Sequence, residues 1–249
     1  MTTSPRTLHW PGCLNARDLG GLPTENGRLT QMGSLIRSDR LTHLTPAGKQ
    51  ALLDFGVRTI VDLRGPEEIA ENPPPQFDTG VAAPHYVQPP QRDARWELDS
   101  SPKAAKLKKA RTRTELFIMI LDLYPEKQVS ILRAIAAAEP GPLVFHCHSG
   151  KDRTGIAAAL LLDLAGVQEE AIAADYALSQ GNLMANFEER VRAGEVDPDD
   201  RWAIPLTDPQ TIHDMLAHLR DQYGGTETYL RQAGLTVEEI GRLRKRLVR

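Results

Sequence analysis

Cys147 and Arg153, six positions apart, are the residues of this chain best placed to do chemistry. They bracket His148-Ser149-Gly150-Lys151-Asp152, and Thr154-Gly155 follows. The reactive form of a cysteine is the thiolate, which needs surroundings that favour the anion. Backbone N–H groups from His148 to Arg153 can curl into an anion-binding nest. A helix beginning near Thr154 adds the partial positive charge of its N-terminus. Together these favour the Cys147 thiolate and bind the oxygens of a phosphate dianion, with His148, Ser149, Gly150, Lys151, Asp152 and Arg153 as the phosphate-binding residues. Gly150 permits a backbone conformation that a side chain would hinder. The planar fork of Arg153 can grip two phosphoryl oxygens, more tightly as the transition state spreads charge over them.

The chemistry this pattern supports is phosphoester hydrolysis in two steps: Cys147 displaces the leaving oxygen to give phosphocysteine, and water then hydrolyses that intermediate. An acid must protonate the leaving oxygen, and its conjugate base can later activate water. Loop amides and Arg153 carry the charge stabilisation, so the pattern calls for no metal and no cofactor. His146 and His148 flank the nucleophile, and no third ligand cluster follows them, which argues against a metal site. The bland alternative is a buried cysteine at a strand end beside a solvated Lys-Asp-Arg cluster. Such a cysteine has no need of a glycine-bearing anion nest.

The elements around the loop are those such a site requires. Leu143 to His146 is a buried strand feeding the loop, and Thr154 to Ala165 is the helix leaving it, stopped by Gly166. Leu35-Ile36-Arg37, Val57 to Leu63 and Pro84 to Val87 read as further strands. Thr45-Pro46 starts a helix that ends before Gly56, and Glu67 to Glu71 reads as a short one. Residues 115–137 read as helix broken or kinked at Pro125. Further helices are expected over 168–179, 182–193, 209–222 and 236–248, the last opened by a Thr236-x-x-Glu239 capping box. Short apolar strands alternating with helices predict an α/β fold, a mostly parallel central sheet flanked by helices. In such sheets ligands bind beyond the carboxyl ends of strands, where the 147–153 loop lies.

The remaining composition narrows the class. Across 249 residues the net charge is −3, without the basic footprint of a nucleic-acid binder. No apolar run is long enough to span a bilayer, and Met1 to Pro11 lacks a signal-peptide core. This points to the cytoplasm, with export lacking a cleavable signal open. Two cysteines, Cys13 and Cys147, make no disulfide framework. Neither repeats nor low-complexity linkers interrupt 1–249, so one domain is expected. Oligomeric state leaves no mark in the sequence.

The segment HCHSGKDRTG resembles the signature loop of the cysteine-based protein-tyrosine phosphatase superfamily. Its Lys151-Asp152 is similar to a bacterial branch of tyrosine and dual-specificity phosphatases that also act on phosphoinositides. Asn15-Ala16-Arg17-Asp18-Leu19-Gly20-Gly21, Leu35-Ile36-Arg37-Ser38-Asp39, Ile60-Val61-Asp62-Leu63-Arg64 before Glu67-Glu68, and Tyr229-Leu230 with Gly234-Leu235-Thr236 extend the likeness along nearly the whole chain. His148-Ser149 departs from the small or apolar residues frequent in that branch. The resemblance implies a protein-tyrosine-phosphatase-like fold, phosphorylated protein or phosphoinositide substrates, and an acid inside the loop, which makes Asp152 the first choice. Asp93 and Asp99 are the runners-up. It also implies a helical lid, here 89–114.

Other residues divide between scaffold and site. Lys151 can contact substrate phosphate or simply raise the local potential. Thr154 can hydrogen-bond the departing thiolate or a backbone group at its helix start. His146 can hold the loop by a hydrogen bond. Asp62 and Arg64, at the end of a neighbouring strand, read as braces, as do Arg17 and Asp18. Lys103 to Arg113, with Lys106, Lys108, Lys109 and Arg111, suits an amphipathic basic helix. It is either a lid attracting anionic substrates or lipid headgroups in transient membrane-surface contact, or a solvated face. Two other classes share a cysteine in an anion cradle: a rhodanese-like sulfurtransferase and a non-catalytic phosphate-binding module.

Overall fold

The computed structural model describes residues 6–77, 83–90 and 101–248. Five strands form one sheet: β1 (Arg17–Asp18), β2 (Leu35–Ser38), β3 (Thr59–Asp62), β4 (His85–Val87) and β5 (Leu143–His146). Their spatial order is β1-β2-β5-β3-β4, antiparallel only between β1 and β2. β5 is therefore central, its His146 opposite Ser38 of β2 on one side and Asp62 of β3 on the other. The expected α/β fold with a mostly parallel sheet is present.

Alternation along the strands splits the core in two. Leu35, Val61, Leu143 and Phe145 face the larger cluster, whereas Ile36, Ile60 and Val144 face a smaller one with Leu41, Leu52 and Val57. The smaller side is covered by α1 (Pro46–Asp54), whose Thr45 hydroxyl accepts the amide of Gly48 as an N-cap. α2 (Pro66–Glu71) follows β3. After β4 come α3 (Pro102–Leu107), α4 (Arg113–Leu123) and α5 (Pro125–Ala137), then, beyond β5, α6 (Asp152–Leu164) and α7 (Glu169–Arg192). α8 (Pro209–Tyr223), α9 (Thr226–Gln232) and α10 (Val237–Leu247) complete the chain, α10 with the expected Thr236–Glu239 capping box. α6 is nearly all apolar and buried, which fixes the direction in which it leaves the loop. Among the described residues no helix is long and apolar enough to cross a membrane.

Two expectations change. Where two helices were expected over 168–193, α7 runs unbroken from Glu169 to Arg192, because burial of Ile172, Ala173, Tyr176, Ser179 and Leu183 outweighs the low propensity of Gly181. Residues 103–113 do not form a single basic helix. α3 stops at Leu107, and a new helix is nucleated at Arg113, where the Thr112 hydroxyl accepts the Glu115 amide. The break expected at Pro125 is present: α4 ends at Leu123 and α5 begins at Pro125. β1 and α9 were not foreseen.

The N-terminal segment, β1, β2 and α7 are joined by one buried carboxylate. Asp175 Oδ1 accepts from Arg17 Nε (3.1 Å) and Arg6 Nη1 (2.8 Å), and Oδ2 from Arg37 Nη1 (2.8 Å). Burial alone would raise its pKa, but Arg17, Arg37 and Arg6 hold it well below the usual carboxylate range. Asp175→Asn leaves Arg17 and Arg37 buried without a counter-charge, and urea titration should show a loss of about 3–5 kcal/mol. Because the folded-state pKa is depressed, this stabilisation is full above the unfolded carboxylate value, about 3.9. It should be lost as pH falls below that value in the native protein, with a smaller acid loss in the variant.

Candidate active site

Cys147 leaves the carboxyl end of β5 buried, and the chain turns at once into the N-terminus of α6. Its loop is held from outside through the carbonyl oxygens. His146 Nδ1–H donates to Cys147 O (3.0 Å), and the Arg40 amide donates to His148 O (2.9 Å). Asn15 Nδ2 reaches Ser149 O (3.0 Å), and Arg37 Nη2 reaches Gly150 O (2.8 Å). In a trans peptide the carbonyl of one residue and the amide of the next point in opposite directions. Four carbonyls drawn outward therefore turn the amides of His148, Ser149, Gly150 and Lys151 to the inside, where they form an anion nest. Gly150 adopts φ +70°, and a Cβ there would lie 2.4 Å from Ser38 O, so this position accepts no side chain.

Arg153 stands on the first turn of α6, at the end of the loop. Its guanidinium makes a two-point pair with Glu68, Nη1 to Oε2 at 2.5 Å and Nη2 to Oε1 at 2.8 Å, and Nη1 also donates to Leu63 O (3.3 Å). Glu68 is buried on α2 and accepts the Gly65 amide as well. Burial raises its carboxyl, but the Arg153 hydrogen bond and charge bring it below its ordinary range. Glu68 was not among the expected site residues. Its marks in the sequence are the Glu67-Glu68 pair of the family-like segment and the Gly65-to-Glu68 spacing that closes the start of α2.

Asp152 lies between two cations. Its Oδ1 accepts Arg113 Nη1 at 2.6 Å and its Oδ2 accepts Lys151 Nζ at 2.8 Å. Arg113 also donates to the carbonyls of Arg201 and Ile204 and stacks over the Trp202 ring, while Lys151 Nζ donates to Trp202 O. Burial pushes the Asp152 carboxyl up, yet Lys151 and then Arg113 leave it below the usual range. Lys151 is itself buried, which depresses its pKa. Arg113, expected only as part of a basic run that was either a lid or a solvated face, is turned inward to the loop, and its pairing with Asp152 was not foreseen.

The other expected residues fall into place around this centre. His146 is fully buried, and desolvation lowers its pKa although its Nε2 faces Asp62 Oδ2 at 3.7 Å. Asp62 is pinned by Arg64 Nε and Nη2 and by the Tyr86 hydroxyl, so Asp62 backs His146 and Arg64 backs Asp62. Among the described residues the Arg64 guanidinium bonds to Asp62 and to Asn72 O. Thr154 Oγ1 is buried without a hydrogen-bond partner among the described residues. Arg17 holds Asn15 Oδ1 (2.6 Å), and Asp18 accepts the amides of Gly20 and Gly33. Cys13 and Cys147 are both free thiols, Cys13 lying against the Ser38 hydroxyl. Asp93 and Asp99 lie outside the described residues.

The sequence pattern of the tyrosine phosphatase family matches residues 8–249. The tyrosine-protein phosphatase of Nostoc commune is 32% identical over 234 residues, covering 86% of this chain and 74% of the relative. The triple specificity protein phosphatase PtpB of Mycobacterium tuberculosis is 25% identical over 273 residues, covering 94% and 96%.

Removing the Arg113 charge tests the electrostatics of the loop directly. In Arg113→Gln, carboxyl-carbon NMR should show the Asp152 pKa rising towards its ordinary value, because one of the two cations that lower it is gone. An unmoved titration would leave Lys151 alone in control of that carboxylate.

Proposed function

The chain belongs to the tyrosine phosphatase family, and we propose that it removes phosphate from phosphotyrosine in proteins through a phosphocysteine intermediate on Cys147. One observation carries this reading: the outward bonding of the Cys147–Gly150 carbonyls, which leaves successive amides facing the space between Cys147 and Arg153. That space suits three phosphoryl oxygens, with the thiolate behind the phosphorus.

In the first step Cys147 Sγ attacks phosphorus as the bond to the tyrosyl oxygen breaks, and Asp152 gives its proton to that oxygen. In the second, the Asp152 carboxylate takes a proton from water, the water oxygen attacks phosphorus, and the S–P bond breaks with its electron pair returning to sulfur. Inorganic phosphate leaves. The unengaged Thr154 hydroxyl supports a bond to the departing thiolate in this step. Arg153, oriented beforehand by Glu68, supplies its fork without further ordering.

Phosphoserine and phosphothreonine follow as secondary substrates if Asp152 delivers its proton to poorer leaving groups. Phosphoinositides have weaker support, because the basic run expected to meet headgroups is a short helix, and Arg113 is committed to Asp152. The described part of the expected lid has its own small apolar cluster, Leu107 and Ala110 with Leu116 and Tyr124, and Trp202 packs against it. That separation from the main core supports a covering role for α3. Sulfur transfer and mere phosphate reading fit less well with an acid placed beside Arg153.

The acid's environment sets the pH dependence. Lys151 and Arg113 keep Asp152 mostly ionised when the site is empty, while an arriving dianion favours its protonated form. Since the protonated fraction falls as pH rises, kcat/KM should decline from mildly acidic towards neutral pH. Cys147→Ser should abolish hydrolysis of p-nitrophenyl phosphate, and retained activity would end the phosphocysteine reading. Asp152→Asn should reduce turnover of alkyl phosphates by about a hundredfold or more and spare activated aryl esters. Thr154→Ala should accumulate phosphoenzyme in rapid-quench measurements.

A further inference from the structure

Most arginines around the loop face a carboxylate: Arg153 has Glu68, Arg113 has Asp152, Arg37 has Asp175 and Arg64 has Asp62. Arg40 does not. Its backbone amide is tied to His148 O, its Nη1 donates to His148 Nε2, and its Nε donates to His43 Nε2 at 3.3 Å. No carboxylate pairs with it among the described residues. Asp39, the residue before it, attracts Arg40 electrostatically but bonds through its oxygens to the amides of Leu14 and Asn15.

The chemistry of these contacts fixes the protonation states. A guanidinium has only donors, so both imidazole Nε2 atoms must accept, which places the His148 and His43 protons on Nδ1. Both rings are then neutral. Burial and then Arg40 push the His148 pKa down to about 3, and burial and Arg40 likewise lower that of His43. Neutral acceptors orient the Arg40 guanidinium without cancelling its charge. Arg190 of α7 adds a second positive charge that both Arg40 and His148 feel. Among the described residues Arg190 has one ion-pair partner, the exposed Glu195 at 3.3 Å. The result is an oriented, half-buried cation beside the residue that follows the nucleophile, in a protein of net charge −3.

We propose that Arg40, with Arg190 and the Nδ1–H of His148, forms a subsite for a second anionic group on the substrate, a glutamate or aspartate carboxylate flanking the phosphotyrosine of a protein. A single fixed fork matches the two oxygens of a carboxylate. Its neighbour His148 is part of the anion loop, so the second group must lie within a residue or two of the scissile phosphate. This inference rests on the phosphotyrosine reading above.

The test uses the full chain and phosphotyrosine peptides that differ only in a glutamate or glutamine, placed in turn at each position next to the phosphotyrosine. At the favoured position the glutamate peptide should show kcat/KM about tenfold higher, the discrimination one charge-assisted hydrogen bond can supply. The ratio should shrink as salt is raised. It should fall to within about twofold, mainly through KM, in Arg40→Gln and in Arg190→Gln. Arg190→Gln lies on a half-exposed helix face, so it answers the question even if Arg40→Gln folds poorly. Equal rates for both peptides at every position, or a preference that survives both substitutions, would overturn the subsite and leave the phosphotyrosine reading standing. Faster turnover of monophosphorylated inositides in vesicles than of any peptide would assign the anion to a lipid and overturn it too. If no phosphotyrosine peptide is hydrolysed at all, the functional reading falls and this inference with it.

Discussion

The carbonyls of Cys147, His148, Ser149 and Gly150 are each bonded from outside the loop, and the orientation of its amides follows from that. Those donors are themselves fixed. Arg37 is anchored by Asp175, Asn15 is held through Oδ1 by Arg17 and Asn182, and His146 is backed by Asp62. The buried ions, uncommon in a core for their desolvation penalty, are thus explained by the loop they hold. They convert a flexible seven-residue turn into a preset cradle, and preset dipoles need no reorganisation when charge moves. Apolar packing of α6 and the alternating faces of the sheet set only the direction in which the loop enters and leaves.

Within the cradle the charges are arranged in compensated pairs. Arg153 meets Glu68, and Asp152 meets Lys151 and Arg113, so each functional group has its orientation set by an opposite charge. The arrangement carries a conflict. Glu68 dilutes the positive charge that Arg153 presents to an anion, and the two cations beside Asp152 oppose the proton it must carry. An incoming dianion relieves the second conflict, since its negative charge favours protonation nearby. Binding and readiness for proton transfer are therefore linked. Arg40 stands outside this scheme, held by neutral rings and keeping its charge.

Local features were legible in the sequence: the strand, glycine turn and helix around Cys147, the capping box at Thr236, the break at Pro125. Each is written in neighbouring residues. What escaped was written across the chain. Glu68 and Arg153, Arg113 and Asp152, or Arg37 and Asp175 meet only because the parallel sheet brings distant crossovers to one edge. The break expected between 179 and 182 is absent because helix propensity is a weak local term that tertiary burial overrides. The basic run 103–113 misled in another way. Composition gave its charge, but the cap at Thr112 and the stacking of Arg113 on Trp202 decided which charge turns inward.

α7 supplies Asp175 and Ser179 to the arginine network, Asn182 to Asn15, and Arg190, whose charge acts on Arg40 and His148. These positions fall on one stripe of a single unbroken helix. From Asn182 to Arg190 the axis advances about 12 Å, in a little over two turns. One residue inserted or deleted between them would rotate Arg190 by about 100° relative to the anchor and carry its charge away from the loop. Length variation here is tolerable only beyond Arg192, where the helix stops at Gly194 with φ +75°. The helix thus serves as a ruler, and insertions or deletions in relatives should be tolerated after its last turn and excluded from the stretch before it.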